Sequence, residues 1–109
     1  MGRSEDRVAR NEAMFREANE KISRKAAELD FAGKMPFLCE CDEPGCTDIL
    51  RIERDEYERV RANPRRFVIA RGHEAPGEEL VEATDRFTIV EKRGISGGIA
   101  EETDPRRVE

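Results

Sequence analysis

Three cysteines fall within eight residues, Cys39-Glu40-Cys41-Asp42-Glu43-Pro44-Gly45-Cys46, and the only histidine of the chain, His73, lies 27 residues beyond the third. This cluster limits what the chain can fold into. Thiols without a metal are usually buried as small apolar groups. Here their neighbours are Glu40, Asp42 and Glu43, a poor core sequence. Three thiolates and a neutral imidazole are the donor set that tetrahedral zinc takes. Pro44-Gly45 supplies a tight turn that folds Cys46 back toward the first pair. The expected metal ligands are therefore Cys39, Cys41, Cys46 and His73. Asp42, Glu43 and Glu74 are alternative fourth donors, and cysteines without a metal are the plainer alternative. The odd cysteine count argues against a disulfide framework and for a reducing compartment.

The need for a metal is sharpened by what else the chain contains. Of its 109 residues, 41% are Lys, Arg, Asp or Glu, against roughly 25% in an ordinary globular chain. Only 22 residues are Leu, Ile, Val or Phe, and 16 of these lie between positions 35 and 99. The longest apolar run, Phe67-Val68-Ile69-Ala70, is far too short to cross a bilayer. No apolar signal region follows the N-terminus, so the expected location is cytoplasmic.

The composition divides the chain into an N-terminal helix over 1–34, an α+β domain over 35–103 and a frayed tail over 104–109. Val8, Phe15, Ile22 and Leu29 recur every seven residues on a helix expected from Ser4 to Phe31, capped by Ser4 and ended by Gly33 and Pro36. That stripe would lie on the domain, pair with a second copy in a homodimer, or dock a partner. Beyond it the pattern predicts strands at 37–40 and 47–53, a helix over 55–63 capped by Asp55, and a central strand at 66–71. A hairpin at 79–83 and 87–92 and a weak helix at 95–102 complete it. The expected fold is α+β, a small and mainly antiparallel sheet with one or two short helices and a zinc-stapled turn.

Charge is also divided. Eight acids lie between Glu40 and Glu58, whereas 59–71 carries Arg59, Arg61, Arg65, Arg66 and Arg71 and no acid. These five arginines are the candidate partner-binding surface, since guanidinium forks suit carboxylates and phosphates. The alternative is a solvated face paired with the acids at 53–58. Few aromatics accompany them, which argues against stacking on single-stranded nucleic acid.

Two resemblances bear on the cluster. Cys39 and Cys41 resemble the C-x-C opening of the CDGSH iron–sulfur proteins, which implies a [2Fe–2S] centre as the alternative cofactor. Here Cys46 comes earlier than in that pattern, no Asp-Gly follows it, and His73 comes later. More broadly, Phe37-Leu38-Cys39-Glu40-Cys41, Cys46, Glu56-Tyr57, Val60-Arg61, Pro64, Arg66-Phe67, Gly72-His73-Glu74, Val90-Glu91-Lys92 and Asp104-Pro105-Arg106 resemble a family of short uncharacterised bacterial proteins. The likeness spans about 11–107 and implies that the three cysteines and His73 belong together.

No catalytic pattern is met. HExxH is absent, Glu74 is misplaced for a zinc deaminase, and the glycines at 94, 97 and 98 lack the Lys-Ser/Thr of a phosphate loop. The expectation is a non-enzymatic adaptor or regulator. It would bind a macromolecule, a protein foremost, through its helix and the Arg59–Arg71 face, with nucleic acid open through the same face and no membrane partner. A redox-responsive thiol sensor is the alternative.

Overall fold

A computed structural model describes residues 5–41, 43 and 45–107. The chain folds as α+β, in the order α1 (Glu5–Glu28), β1 (Lys34–Leu38), β2 (Ile49–Glu53), α2 (Arg54–Arg61), β3 (Arg66–Ile69), β4 (Glu78–Ala83), β5 (Thr88–Lys92) and α3 (Gly94–Glu102). The strands form two antiparallel sheets, a β1–β2 hairpin and a three-stranded sheet ordered β3-β5-β4. Among the described residues no helix is long and apolar enough to cross a membrane.

β3 separates two apolar cores because its side chains alternate. Val68 joins Phe37, Leu50, Ile52, Tyr57, Val60 and Phe87 on one side. Phe67 and Ile69 join Val90, Ala100, Cys39 and Cys41 on the other. Apolar residues on both faces had suggested a central strand. In fact β5 is central and β3 lies at the edge. Its free edge is covered by the cysteine segment, where the Glu40 N–H donates to Val68 O at 2.8 Å and the Val68 N–H to Glu40 Oε1 at 2.9 Å.

The first helix buries a different face from the one its apolar stripe predicts. Glu12, Arg16, Asn19, Glu20 and Ser23 are buried, together with Ala13 and Ala26. Phe15 and Ile22 are only half-buried and Leu29 is 66% exposed; the Val8 side chain lies outside the described residues. The buried face is turned about a quarter of the way round the helix from the stripe. Each polar side chain on it finds at least one partner in the body, as burial requires, although Glu12 Oε1 and Arg16 Nε have none among the described residues. Arg16 donates to the carbonyls of Pro64 (2.6 Å) and Ala100 (2.7 Å) and lies 4.5 Å above the Phe67 ring. Glu20 takes Arg61 at 2.7 Å and Arg106 at 2.9 Å, and Ser23 donates to Glu58 at 2.8 Å. Lys92 is held between Glu12 and Glu78.

Several element ends differ from expectation. α1 ends at Glu28, where Phe31 N donates to Ala26 O and Asp30 N to Ala27 O, so Asp30 (φ 53°) is the left-handed residue that stops the helix. The proposed Ser4 cap lies outside the described residues. β1 begins at Lys34 and includes Pro36, which an edge position allows. α2 starts at Arg54, so Glu53 rather than Asp55 is its cap residue, and the Glu56 carboxylate accepts from the Glu53 N–H at 3.0 Å. In α3 a Cβ on Gly97 would meet the Arg65 guanidinium and the Lys92 carbonyl, which explains a glycine inside that helix. Asp104 and Arg106, expected in a frayed tail over 104–109, are paired instead, Asp104 with Arg61 and Arg106 with Glu20 and Glu58. Residues 108–109 lie outside the described residues.

The Lys92 site places two carboxylates on one ammonium in a buried setting. Burial, the main cause, pushes Glu12 up from 4.5 to about 8, against the pull of Lys92. Its Oε1 has no partner among the described residues and can carry the proton. Between those two values the folded chain keeps a proton the unfolded chain has lost, so this contribution to stability falls as pH rises through the window. Glu12→Gln mimics the protonated form and leaves Glu78 on Lys92. Its thermal midpoint should drop less than the parent's between about pH 5 and about pH 8. Equal drops in the two proteins would show that Glu12 does not titrate there.

Candidate metal centre

β1 ends at Leu38, and its direction carries Cys39, Glu40 and Cys41 along the free edge of β3. In this extended run neighbouring side chains face opposite ways. Cys39 and Cys41 enter the core beside Phe67 and Ile69, and Glu40 points the other way. The chain then turns back, with Gly45 at φ 81° and Cys46 N donating to Glu43 O at 3.1 Å. Asp42 and Pro44 lie outside the described residues. His73 arrives from the far end of β3 through a turn with Gly72 at φ 84°, closed by His73 N donating to Ala70 O at 3.1 Å.

These turns bring one donor atom from each of Cys39, Cys41, Cys46 and His73 to within 4.8 Å of one another, close enough to bind a metal ion. His73 Nδ1 stands 3.6 Å from Cys39 Sγ and 3.7 Å from Cys46 Sγ. Its Nε2 lies 3.4 Å from Asp48 Oδ2. Cys39 and Cys41 are buried, whereas Cys46 and His73 are half-buried, so the cluster has a closed side and an open one. Cys39 Sγ also accepts from the Ala70 N–H at 3.1 Å. Burial pushes the Cys39 and Cys41 thiols up; Cys41 and Cys46 push Cys39 further, and Cys46 pushes Cys41. A cation reverses that balance, because thiolates packed together need positive charge among them.

Glu40 is fully buried and forms the support behind the cluster. Its Oε2 accepts from Asn19 Nδ2 at 2.8 Å and from the Tyr57 hydroxyl at 2.9 Å, and its Oε1 from Val68 N. Asn19 also pairs with both backbone groups of Leu38, at 2.8 and 2.9 Å. Burial raises Glu40 above the usual carboxylate range and these hydrogen bonds pull it down. Tyr57 is raised first by burial and then by the Glu40 charge, and its ring stacks on Phe37 at 4.4 Å.

The other expected site residues do not gather in the same way. Arg61 is buried and bound to Glu20 and Asp104, so it belongs to the interior. Arg65 pairs with Glu101 at 3.1 Å and Arg66 with Glu91 at 3.0 Å. Arg59 and Arg71 are exposed. Arg59 and Arg66 share a cleft of about 280 Å³ with Val60, Val81, Phe87 and Ile89. Glu74 accepts from Gly72 N at 3.2 Å, within its own turn. Sequence reasoning did not single out Glu40 or Asp48. The C-E-C alternation held the signal for Glu40, since two inward cysteines turn the residue between them to the opposite side. Asp48 carried none.

Comparison of the chain with protein-family models, curated proteins and solved structures finds no match, so the centre rests on its geometry.

Glu40→Ala deprives three buried donors of their acceptor at once. It should lower unfolding free energy by about 3–5 kcal/mol. Glu40→Gln, which keeps one acceptor oxygen, should cost less. Urea midpoints check this, and a Glu40→Ala midpoint equal to the parent's would show that the carboxylate is not a support.

Proposed function

We propose that this chain is a small zinc-stabilised adaptor or regulatory protein, without catalytic activity, that binds a macromolecular partner. The observation that carries the zinc reading is the packing of the four donors. In a tetrahedron with Zn–S of about 2.3 Å and Zn–N of about 2.0–2.1 Å, nitrogen and sulfur stand about 3.6 Å apart. His73 Nδ1 already has that spacing to two sulfurs, at 3.6 and 3.7 Å. The widest separation in the set, 4.8 Å, closes with a small inward movement. A [2Fe–2S] centre spreads its ligands over two irons and favours a more open arrangement. Four protein donors fill a zinc ion and leave no place for a reacting water, which supports a structural role.

A structural zinc contributes on the order of 10 kcal/mol at neutral pH, a large share for a chain with so few large apolar residues. The partner reading draws on two features of the surface. Met14, Leu29 and Phe31 are exposed on or just beyond α1, at 69%, 66% and 50%. Arg59 is exposed, acts at longer range on Glu56, and shares its cleft with Arg66, Glu56 and Glu82. A protein segment with an apolar anchor and an acid suits these surfaces better than nucleic acid, because Arg61, Arg65 and Arg66 already carry carboxylates. The half-buried Cys46 favours redox sensing as a second reading. In it, peroxide would oxidise two thiolates to a disulfide, be reduced to water, and release the metal.

Protein purified without chelator should be colourless, hold one zinc per chain, and lose its cooperative thermal transition when a strong chelator removes the metal. A metal-free chain with the same transition rejects the zinc reading. A brown chain holding iron replaces zinc with the cluster. For the partner, a protein captured by the parent chain should be lost in an Arg59→Ala, Arg66→Ala, Leu29→Ser variant that retains its zinc and its fold. Undiminished capture rejects these surfaces.

A further inference from the structure

We infer that Asp48 is a positioning residue of the metal centre, one that makes Nδ1 the metal-binding nitrogen of His73. The inference rests on the zinc reading and concerns how one ligand is aimed. An imidazole can bind metal through either nitrogen, and the hydrogen bond made by the other nitrogen decides which. Here Nδ1 faces Cys39 and Cys46, and Nε2 faces the Asp48 carboxylate at 3.4 Å. A small ring rotation turns that separation into a hydrogen bond. With the Nε2 proton held by Asp48, the lone pair is left on Nδ1, where the sulfurs converge. The negative carboxylate also makes the ring a stronger donor to a cation.

Asp48 is held in place by its own backbone. Its carbonyl accepts from the Cys39 N–H at 3.1 Å, directly before β2 pairs with β1. One residue therefore contacts two ligands that are 34 positions apart in the chain. The side chain of Asp48 is 55% exposed and that of His73 29%, so this corner of the centre faces solvent. Cys39 and Cys41 are fixed by burial. His73 sits on a turn, and among the described residues Asp48 is the carboxylate that faces its Nε2 while the two sulfurs face Nδ1.

The test uses the full chain loaded with zinc. In wild type labelled with nitrogen-15 at histidine, long-range proton–nitrogen spectra should show His73 protonated at Nε2 and metal-bound at Nδ1. Asp48→Ala, which keeps the backbone bond to Cys39, should bind zinc about 10- to 100-fold more weakly in competition with a chromophoric chelator. Asp48→Asn keeps an acceptor oxygen and should fall between the two. A wild-type ring that carries its proton on Nδ1 overturns the inference. So does an Asp48→Ala chain with wild-type affinity, or, if that variant does not fold, an Asp48→Asn chain weaker than any loss of one charge-assisted bond explains, by more than about 100-fold. A wild-type chain that binds no zinc instead rejects the metal reading itself.

Discussion

The carboxylate of Glu40 is the point on which the arrangement turns. It lies between two cysteines in the chain and faces away from them in space. Through Asn19 it holds α1, through Tyr57 it holds α2, and through Val68 it closes the edge of β3. Burying a carboxylate costs several kcal/mol unless its oxygens are satisfied. Here both oxygens accept from fixed donors, so the cost becomes a constraint. The segment bearing Cys39 and Cys41 has one low-energy position relative to three other elements. The sulfurs are thus placed by a group on the opposite side of their own segment.

The same pattern extends along α1. A helix docked by apolar contacts can slide, because those contacts are non-directional. This one is docked by Arg16, Asn19, Glu20 and Ser23, each bound to a named group elsewhere in the fold. Such an interface adds modest net stability, since each bond replaces one to water. It fixes orientation well. Most of the apolar content goes to the two cores on either side of β3, and the cysteine–histidine cluster borders the second of them.

Much of this was legible in the sequence where the signal was local. α2, the β4–β5 hairpin and the two-faced β3 follow from short-range pattern, and the gathering of Cys39, Cys41, Cys46 and His73 follows from their shared donor character. The face of α1 was not legible, because its polar residues are buried by partners more than 80 positions away, as in Arg16 with Ala100 and Glu20 with Arg106. Arg61 misled for the same reason. An arginine on a short helix reads as solvated until Glu20 and Asp104 are brought to it. β3 read as central because both its faces are apolar; it lies at the edge, covered by a segment that uses a side-chain carboxylate where a sheet would use a backbone carbonyl.

The polar docking of α1 has a consequence for its release. When an apolar interface opens, both surfaces become adhesive in water, and the open form tends to be trapped by aggregation. The surfaces separated here would carry arginine, glutamate, asparagine and serine, all readily hydrated, beside a smaller apolar share from Ala13, Ile22, Ala26 and the Phe67 ring under Arg16. Their ion pairs also weaken with salt once water reaches them. Departure of this helix from the body would therefore expose less adhesive surface than opening an apolar interface of the same extent, and its ease would depend on ionic strength.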